Sequence, residues 1–431
     1  MYKIGKLCAL GTLAFLLLSC GKLQDPDELF DLPQRGIARQ MPDTDSSRAI
    51  RGVNLGSGVV ASAIGSAQDT PRAAVLLPGG LIVLAGTTMG ASNLDFGLIR
   101  YYPDGEIDTS FRTTGKAVDT FGVTHDWIHG LAKQTDGKLV AVGRATFNNI
   151  DFAVARYTSN GRLDTSFNST GKVRTQINDN TDIARAVAIQ SDGKIVVGGY
   201  TWLFGKYNYA VARYTTSGNL DPDFNFNGII TTIMSSSDSG VMALLVQPDQ
   251  SIAVAGSVHN GLDWDIGAAR YKSDGSLDTS FKSAGTFMSN VLSADDRNFA
   301  IARGTDGSLI LAGYADNGST LTAATVRLRA SGDFDTSFDT DGKKTLNITA
   351  GSDGVLNAAR IQNDGAIVAT GYTYNGSNND FAVIRLTPSG SLDTSFYTDG
   401  SAATPVGSQA DVAVALVDYG DESFFIVGET S

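Results

Sequence analysis

The chain repeats one alternation of apolar and polar positions. In the stretch from Asp182 to Gln190, DIARAVAIQ, the two kinds alternate with a period of two, as in a half-buried strand. Ser191-Asp192-Gly193-Lys194 follows as a tight turn. IVVGGY, from Ile195 to Tyr200, is nearly all apolar and predicts a second strand buried on both faces. After a Gly/Asn-rich loop, YAVARY (Tyr209 to Tyr214) predicts a third strand. A long turn containing LDPDF leads to a fourth, GIITTIM. The unit is four short strands and no helix.

The unit recurs. The tetrapeptide beginning at Asp108, Asp164, Asp221, Asp278, Asp335 and Asp393 and ending on Phe returns at steps of 56 to 58 residues. A Gly that closes an apolar run (Gly86, Gly143, Gly199, Gly256, Gly313, Gly371, Gly428) keeps the same period. Self-similarity at this spacing marks a propeller, solenoid or array. Four antiparallel strands per repeat select the propeller over a solenoid, whose coils are shorter and whose strands are parallel. The first two strand types occur seven times, the last time at the C-terminus, and the third and fourth occur six times after residue 90. Residues 36–43, GIARQMPD, look like a worn third strand, and 58–64, GVVASAI, match the fourth. The expectation is an all-β, seven-bladed β-propeller, closed by pairing of N- and C-terminal strands in one blade, which removes free sheet edges. Which strand type lines the channel stays open.

The pattern DGK-[IL]-V, G-Y, DFAVARY, G-x-LDTSF, GK resembles the delta-60 repeat family of bacterial β-propellers over about 350 residues. The resemblance implies a fold and supplies no catalytic residues. Two copies depart from the pattern: DPDF at Asp221 and AATVRLR in the fifth third-strand.

Composition agrees with a turn-dense β chain. Gly numbers 49 of 431 residues, and only four of the 45 acids are Glu, the rest being the turn-former Asp. With 42% apolar and 18% charged residues the chain is not a disordered one. A net charge of −12 excludes a nucleic-acid footprint.

The N-terminus carries an address. Lys3 and Lys6 precede an apolar stretch from Leu7 to Leu18, too short to span a bilayer as a helix. Leu17-Leu18-Ser19-Cys20 resembles the lipobox of bacterial lipoproteins, in which the chain is cut before the Cys and that Cys is acylated. The resemblance implies a signal peptide over 1–19, an acylated Cys20 with a tether over 20–35, and a propeller over 36–431. It also implies an exported lipoprotein of the cell envelope, at the outer membrane or cell surface, held to the membrane by the lipid. With Cys8 removed, the mature chain has no second Cys for a disulfide.

Repeated residues read as architecture. Arg100, Arg156, Arg213, Arg270, Arg327 and Arg385 each stand eight residues before Asp108, Asp164, Asp221, Asp278, Asp335 and Asp393. That spacing predicts one Arg–Asp pair per blade holding the long turn, with the Phe residues as plugs between blades. The Asp-Gly sites at Asp136, Asp192, Asp306 and Asp364 read as turns; Asp339-Thr-Asp341-Gly342 begins like a calcium loop but has Ala350 at its twelfth position. Unrepeated residues are the binding candidates: His125, His129, Trp127, Trp202 and Trp264. Two His without a third ligand do not make a metal site, and neither metal nor cofactor is expected. No nucleophile elbow, zinc motif or phosphate loop occurs. The expected function is a monomeric, non-catalytic binding or assembly platform for a protein or carbohydrate ligand. The alternatives are an enzyme acting on polysaccharide or glycoside through channel Asp residues, or a structural or adhesive surface protein.

Overall fold

The computed structural model describes residues 29–30, 50–55, 58–64, 69–90, 92–122, 124–406, 410–420 and 423–430. The chain forms two compact units, Met1–Asp43 and Thr44–Ser431. The signal segment, Cys20 and most of the tether lie outside the described residues.

Six antiparallel sheets each use four consecutive strands, within 69–119, 126–175, 182–232, 239–289, 296–346 and 354–404; we call them blades 1 to 6. In blade 3 the strands are Asp182–Ile189, Ile195–Leu203, Lys206–Tyr214 and Ile229–Thr232. The half-polar first strand and the apolar second strand sit where their patterns predict. Ile195, Val196, Val197 and Tyr200 are fully buried. Gly193, with φ of 83°, makes the turn between the two strands. Apolar side chains from neighbouring blades form the core between them: Val140, Val142 and Val154 of blade 2 meet Ile195, Val197 and Ala212 of blade 3.

The first strand of each blade packs on the first strand of the next, so these strands are innermost and line the channel. The short fourth strands lie at the outer edge of each sheet.

The expectation of a seven-bladed propeller, with one blade closed by N- and C-terminal strands, is corrected to six repeat blades. A further four-stranded sheet exists, but it is no copy of the repeat. It combines Asp411–Gly420 and Ser423–Thr430 with Ile50–Leu55 and Gly58–Ser62. Ile50 pairs with Glu429 and Arg51 with Gly428, joining the two ends of the chain. This composite sheet keeps the Gly marker at Gly428 and has no Arg-clamped Asp-x-x-Phe turn, because its third and fourth strands come from another part of the chain. Its third strand is Ile50–Leu55, whereas the segment 36–43 read as that strand lies outside the described residues.

Candidate functional site

Three sets of side chains account for what the sequence singled out, and the first set is architectural. Each of the six Arg pairs with its Asp: Nε of Arg156 lies 2.9 Å from Asp164, Nε of Arg213 and of Arg270 lie 2.7 Å from Asp221 and Asp278, and Arg100, Arg327 and Arg385 pair with Asp108, Asp335 and Asp393. Five of the six guanidinium groups also donate to a backbone carbonyl of the following turn: Arg100 reaches Ser159, Arg156 Thr216, Arg213 Ser273, Arg270 Ala330 and Arg327 Pro388, whereas Arg385 donates to Gln362 and Asp364 of its own blade. The clamp therefore joins blades as well as holding its own turn. Arg156 stacks 4.6 Å from the centre of Phe167, whose ring occupies the place a Cβ on Gly218 of the next blade would need. Phe111, Phe224, Phe281 and Phe338 sit in the same way against Gly161, Gly275, Gly332 and Gly390. Phe396 has no such Gly and packs 6.2 Å from Phe424 of the composite sheet. Burial pushes the pKa of Asp164 up, but the Ser166 hydroxyl and N–H and the Arg156 charge outweigh it and hold the carboxyl below its usual range.

The repeated Gly marker has a different cause. In every sheet the first strand skips a register position at its fourth residue, a β-bulge, and the marker Gly of the second strand lies against it. A Cβ on Gly199 would fall 1.9 Å from the carbonyl oxygen of Ile183, and one on Gly143 1.8 Å from that of Trp127. Only Gly admits that carbonyl. The bulged residues are Arg72, His129, Arg185, Met242, Phe299, Asn357 and Val414, all half-buried. They form a belt around the channel, one from each innermost strand. Unlike the Gly behind them, they do not repeat. Neighbouring positions touch: the amide of Asn357 donates to the carbonyl of Ala413 at 2.8 Å, and a Cβ on Gly130 would stand 3.2 Å from the carbonyl of Arg185.

The third set lies at the end of the propeller where the first strands begin. Buried Asp residues there accept backbone N–H groups from the connection entering the blade: Asp69 from Ile64, Asp126 from Phe121, Asp182 from Ile177 and Asp411 from Val406, each at 2.7 Å. Burial raises Asp182 and Asp296 to about 6. These carboxylates are engaged in holding the connections. His125 does what an Asp does elsewhere. Its Nδ1 accepts the N–H of Leu94 at 2.9 Å, as Asp238 accepts that of Tyr207 and Asp353 that of Leu321. His129 lies past it in the channel belt, so the bulge separates the two His. Among the described residues no cluster of three or more His, Cys, Asp or Glu is placed to hold a metal.

The Trp residues pack beneath this end rather than projecting from it. Arg144 lies 3.8 Å over Trp127, Arg297 of blade 5 lies 4.2 Å over the buried Trp264, and Trp202 meets Tyr207 edge-on at 4.8 Å. What projects are the hairpin tips between second and third strands. Blades 2, 3 and 4 present Phe147, Phe204 and Leu262, which are 61%, 78% and 91% exposed. The tips of blades 1, 5 and 6 are polar, with Ser92, Ser319 and Ser377. Phe204 and Gly205 form a two-residue turn with φ of 57° and 79°. Outside the repeated turns, Phe204 is the described non-Gly residue with left-handed φ; Gln250 takes it in blade 4 at the place Gly193 has in blade 3.

Sheets of four antiparallel strands, clamped blade to blade around a channel, define a β-propeller repeat protein. Six segments of the chain match the family model described as a domain of unknown function (DUF5122) beta-propeller, at residues 80–111, 134–167, 190–224, 247–281, 304–338 and 362–396. Each repeat ends on the Phe of a clamped turn, which leaves the composite sheet outside the matches. No curated protein matches the chain. Virginiamycin B lyase from Staphylococcus aureus is similar at 14% identity, covering 84% of this chain and 95% of that one, with a TM-score of 0.46. A streptogramin B lyase is similar at 12% identity over 89% and 98% of the two chains, TM-score 0.45. The acylaminoacyl peptidase of Pyrococcus horikoshii is similar at 12% identity over 84% and 49%, TM-score 0.42. At these values the likeness extends to the fold alone. The expectation of a non-enzyme is nevertheless corrected: it rested on the lack of a catalytic motif, and that absence does not make this chain a non-enzyme.

Proposed function

We propose that this protein is an exported β-propeller, held at the bacterial cell envelope by a lipid on Cys20, that binds a partner protein through the hairpin tips of blades 2 to 4. The observation that carries the reading is Phe204. A two-residue hairpin turn of this kind favours Asn-Gly, because both residues need positive φ. An aromatic in the left-handed region costs about 1 kcal/mol or more. Phe204 takes that conformation at an exposed tip, where its ring gives no core packing in return. Phe147 and Leu262 stand on the same tip of the two flanking blades, and exposed apolar residues grouped in this way are what a protein interface buries.

Two measurements test the reading. Cys20→Ser abolishes fatty-acid labelling; labelling that persists overturns the anchor. In mild-detergent extracts of the envelope, the native protein runs in a species larger than even the unprocessed chain of 45.2 kDa, and the triple variant Phe147→Ser, Phe204→Ser, Leu262→Ser runs alone. Identical elution of the two overturns the interface.

A further inference from the structure

The belt of bulged residues divides by chemistry around the channel. Blades 1, 2 and 3 contribute Arg72, His129 and Arg185 in unbroken order, and blades 4 and 5 contribute Met242 and Phe299. Asn357 and Val414 complete the circle. The chain has 45 acidic and 33 basic residues, yet the belt holds two Arg and one His and no acid.

The belt is built at a cost. Seven Gly positions are given up to seat seven bulges, since any Cβ there would meet a backbone carbonyl at 1.8 to 2.2 Å. Gly in a strand interior weakens it. A bulge re-aims a side chain, and a half-buried residue in the middle of an innermost strand meets solvent through the channel. The architecture is therefore the same at all seven positions while the side chain it presents varies, with six residue types over the seven. Packing alone would repeat the residue as it repeats the Gly.

We propose that the channel belt binds a small amphipathic monoanion, a carboxylate with an apolar or aromatic tail. The guanidinium groups of Arg72 and Arg185 receive the carboxylate, with His129 between them in the belt. A guanidinium fork matches two carboxylate oxygens, and within a partly desolvated channel such charge-assisted hydrogen bonds are stronger than in water. The tail lies against Met242 and Phe299; a thioether side chain adapts its shape to what it packs on. The amide of Asn357 donates to the Ala413 carbonyl at 2.8 Å and fixes the belt beside the apolar arc. This site is separate from the hairpin tips, and either proposal stands if the other fails.

The test uses isothermal titration of the full chain carrying Cys20→Ser, with 4-phenylbutyrate, its neutral counterpart 4-phenylbutanol, and inorganic phosphate as probes. We expect one phenylbutyrate per chain, with phenylbutanol and phosphate each bound at least 10-fold more weakly. Arg185→Met and Arg72→Met, which keep the bulk and remove the charge, each weaken phenylbutyrate at least 10-fold, and Phe299→Ala does so while sparing phosphate. Arg303→Met, at the far end of its innermost strand, leaves the affinity unchanged. Melting curves identify any variant that fails to fold, and the second Arg variant then carries the test. The inference is overturned if phenylbutyrate does not bind, if phenylbutanol binds as well, or if Arg303→Met weakens binding as much as the belt variants do.

Discussion

Replacing Arg156 by Ala tests the clamp that repeats through the propeller. Nε of Arg156 donates to Asp164 at 2.9 Å and Nη2 to Ser166 at 3.1 Å, while Nη1 donates to the carbonyl of Thr216 on the next blade. Only 5% of the residue is exposed. Its removal strands a buried carboxylate, which costs about 3–5 kcal/mol. Loss of the Thr216 hydrogen bond and of the stacking on Phe167 acts in the same direction, each worth about 1–2 kcal/mol, though such losses do not add. The net expectation is about 4 kcal/mol, read from urea unfolding followed by Trp fluorescence and circular dichroism together. Arg385 is the internal control. Its side chain is more exposed, its Phe396 has no Gly to plug, and Arg385→Ala is expected to cost about 1–2 kcal/mol, between the exposed and buried limits. The double variant Arg156→Ala, Asp164→Ala should recover part of the loss, because the unpaired carboxylate is gone. An Arg156→Ala loss below about 1 kcal/mol, or one equal to that of Arg385→Ala, refutes the buried-clamp reasoning.

Three further outcomes follow from the same geometry. Gly199→Ala places a Cβ 1.9 Å from the Ile183 carbonyl and should destabilise by about 1–3 kcal/mol or more, with faster amide exchange in Ile183 to Val187; wild-type stability would show that the bulge does not need the Gly. Asp182 is raised from 3.8 to about 6 by burial, against the hydrogen bonds of Thr201, Ile177 and Asn178, so the folded state holds its proton more tightly than the unfolded state. Its contribution is favourable below about pH 4 and is lost as pH rises to about 6, amounting to about 3 kcal/mol. Asp182→Asn lacks that dependence, so the stability of the variant relative to wild type should rise by about this amount between pH 4 and pH 8; a difference that is constant with pH contradicts the shift. Phe204→Asn fits the turn better and should stabilise by about 1 kcal/mol while weakening partner binding; a destabilised variant would mean that the ring supports the fold.

Much of this was legible in the chain. Two markers at one period gave the four-stranded blade, and the eight-residue spacing gave the Arg–Asp pairs, because both are set by local geometry that each copy repeats. The Gly marker could be located but not explained. A bulge is a register event between two strands, and nothing in either strand alone shows which carbonyl presses on the Gly. For the same reason His129 and Arg185 did not stand out as neighbours in a belt: their adjacency belongs to the ring and not to the chain. Phe204 carries no signal in the sequence, because backbone dihedrals cannot be read from residue type. In the composite sheet the fourth strand, GVVASAI, is legible and matches Gly58–Ser62, but the third is not, because the strands from the N-terminus carry neither marker. GIARQMPD was aligned there by likeness alone, whereas Ile50–Leu55 holds the place by pairing with Ser423–Thr430.

The most direct test of the binding account is photo-crosslinking in the intact envelope, with a photoreactive phenylalanine analogue placed at position 204 and, in a separate strain, at position 226. Phe226 is 95% exposed and lies in the long turn after the third strand, at the other end of the blade. The account predicts one discrete protein adduct from position 204 and none from position 226. The same adduct from both positions, or none from position 204, would contradict it.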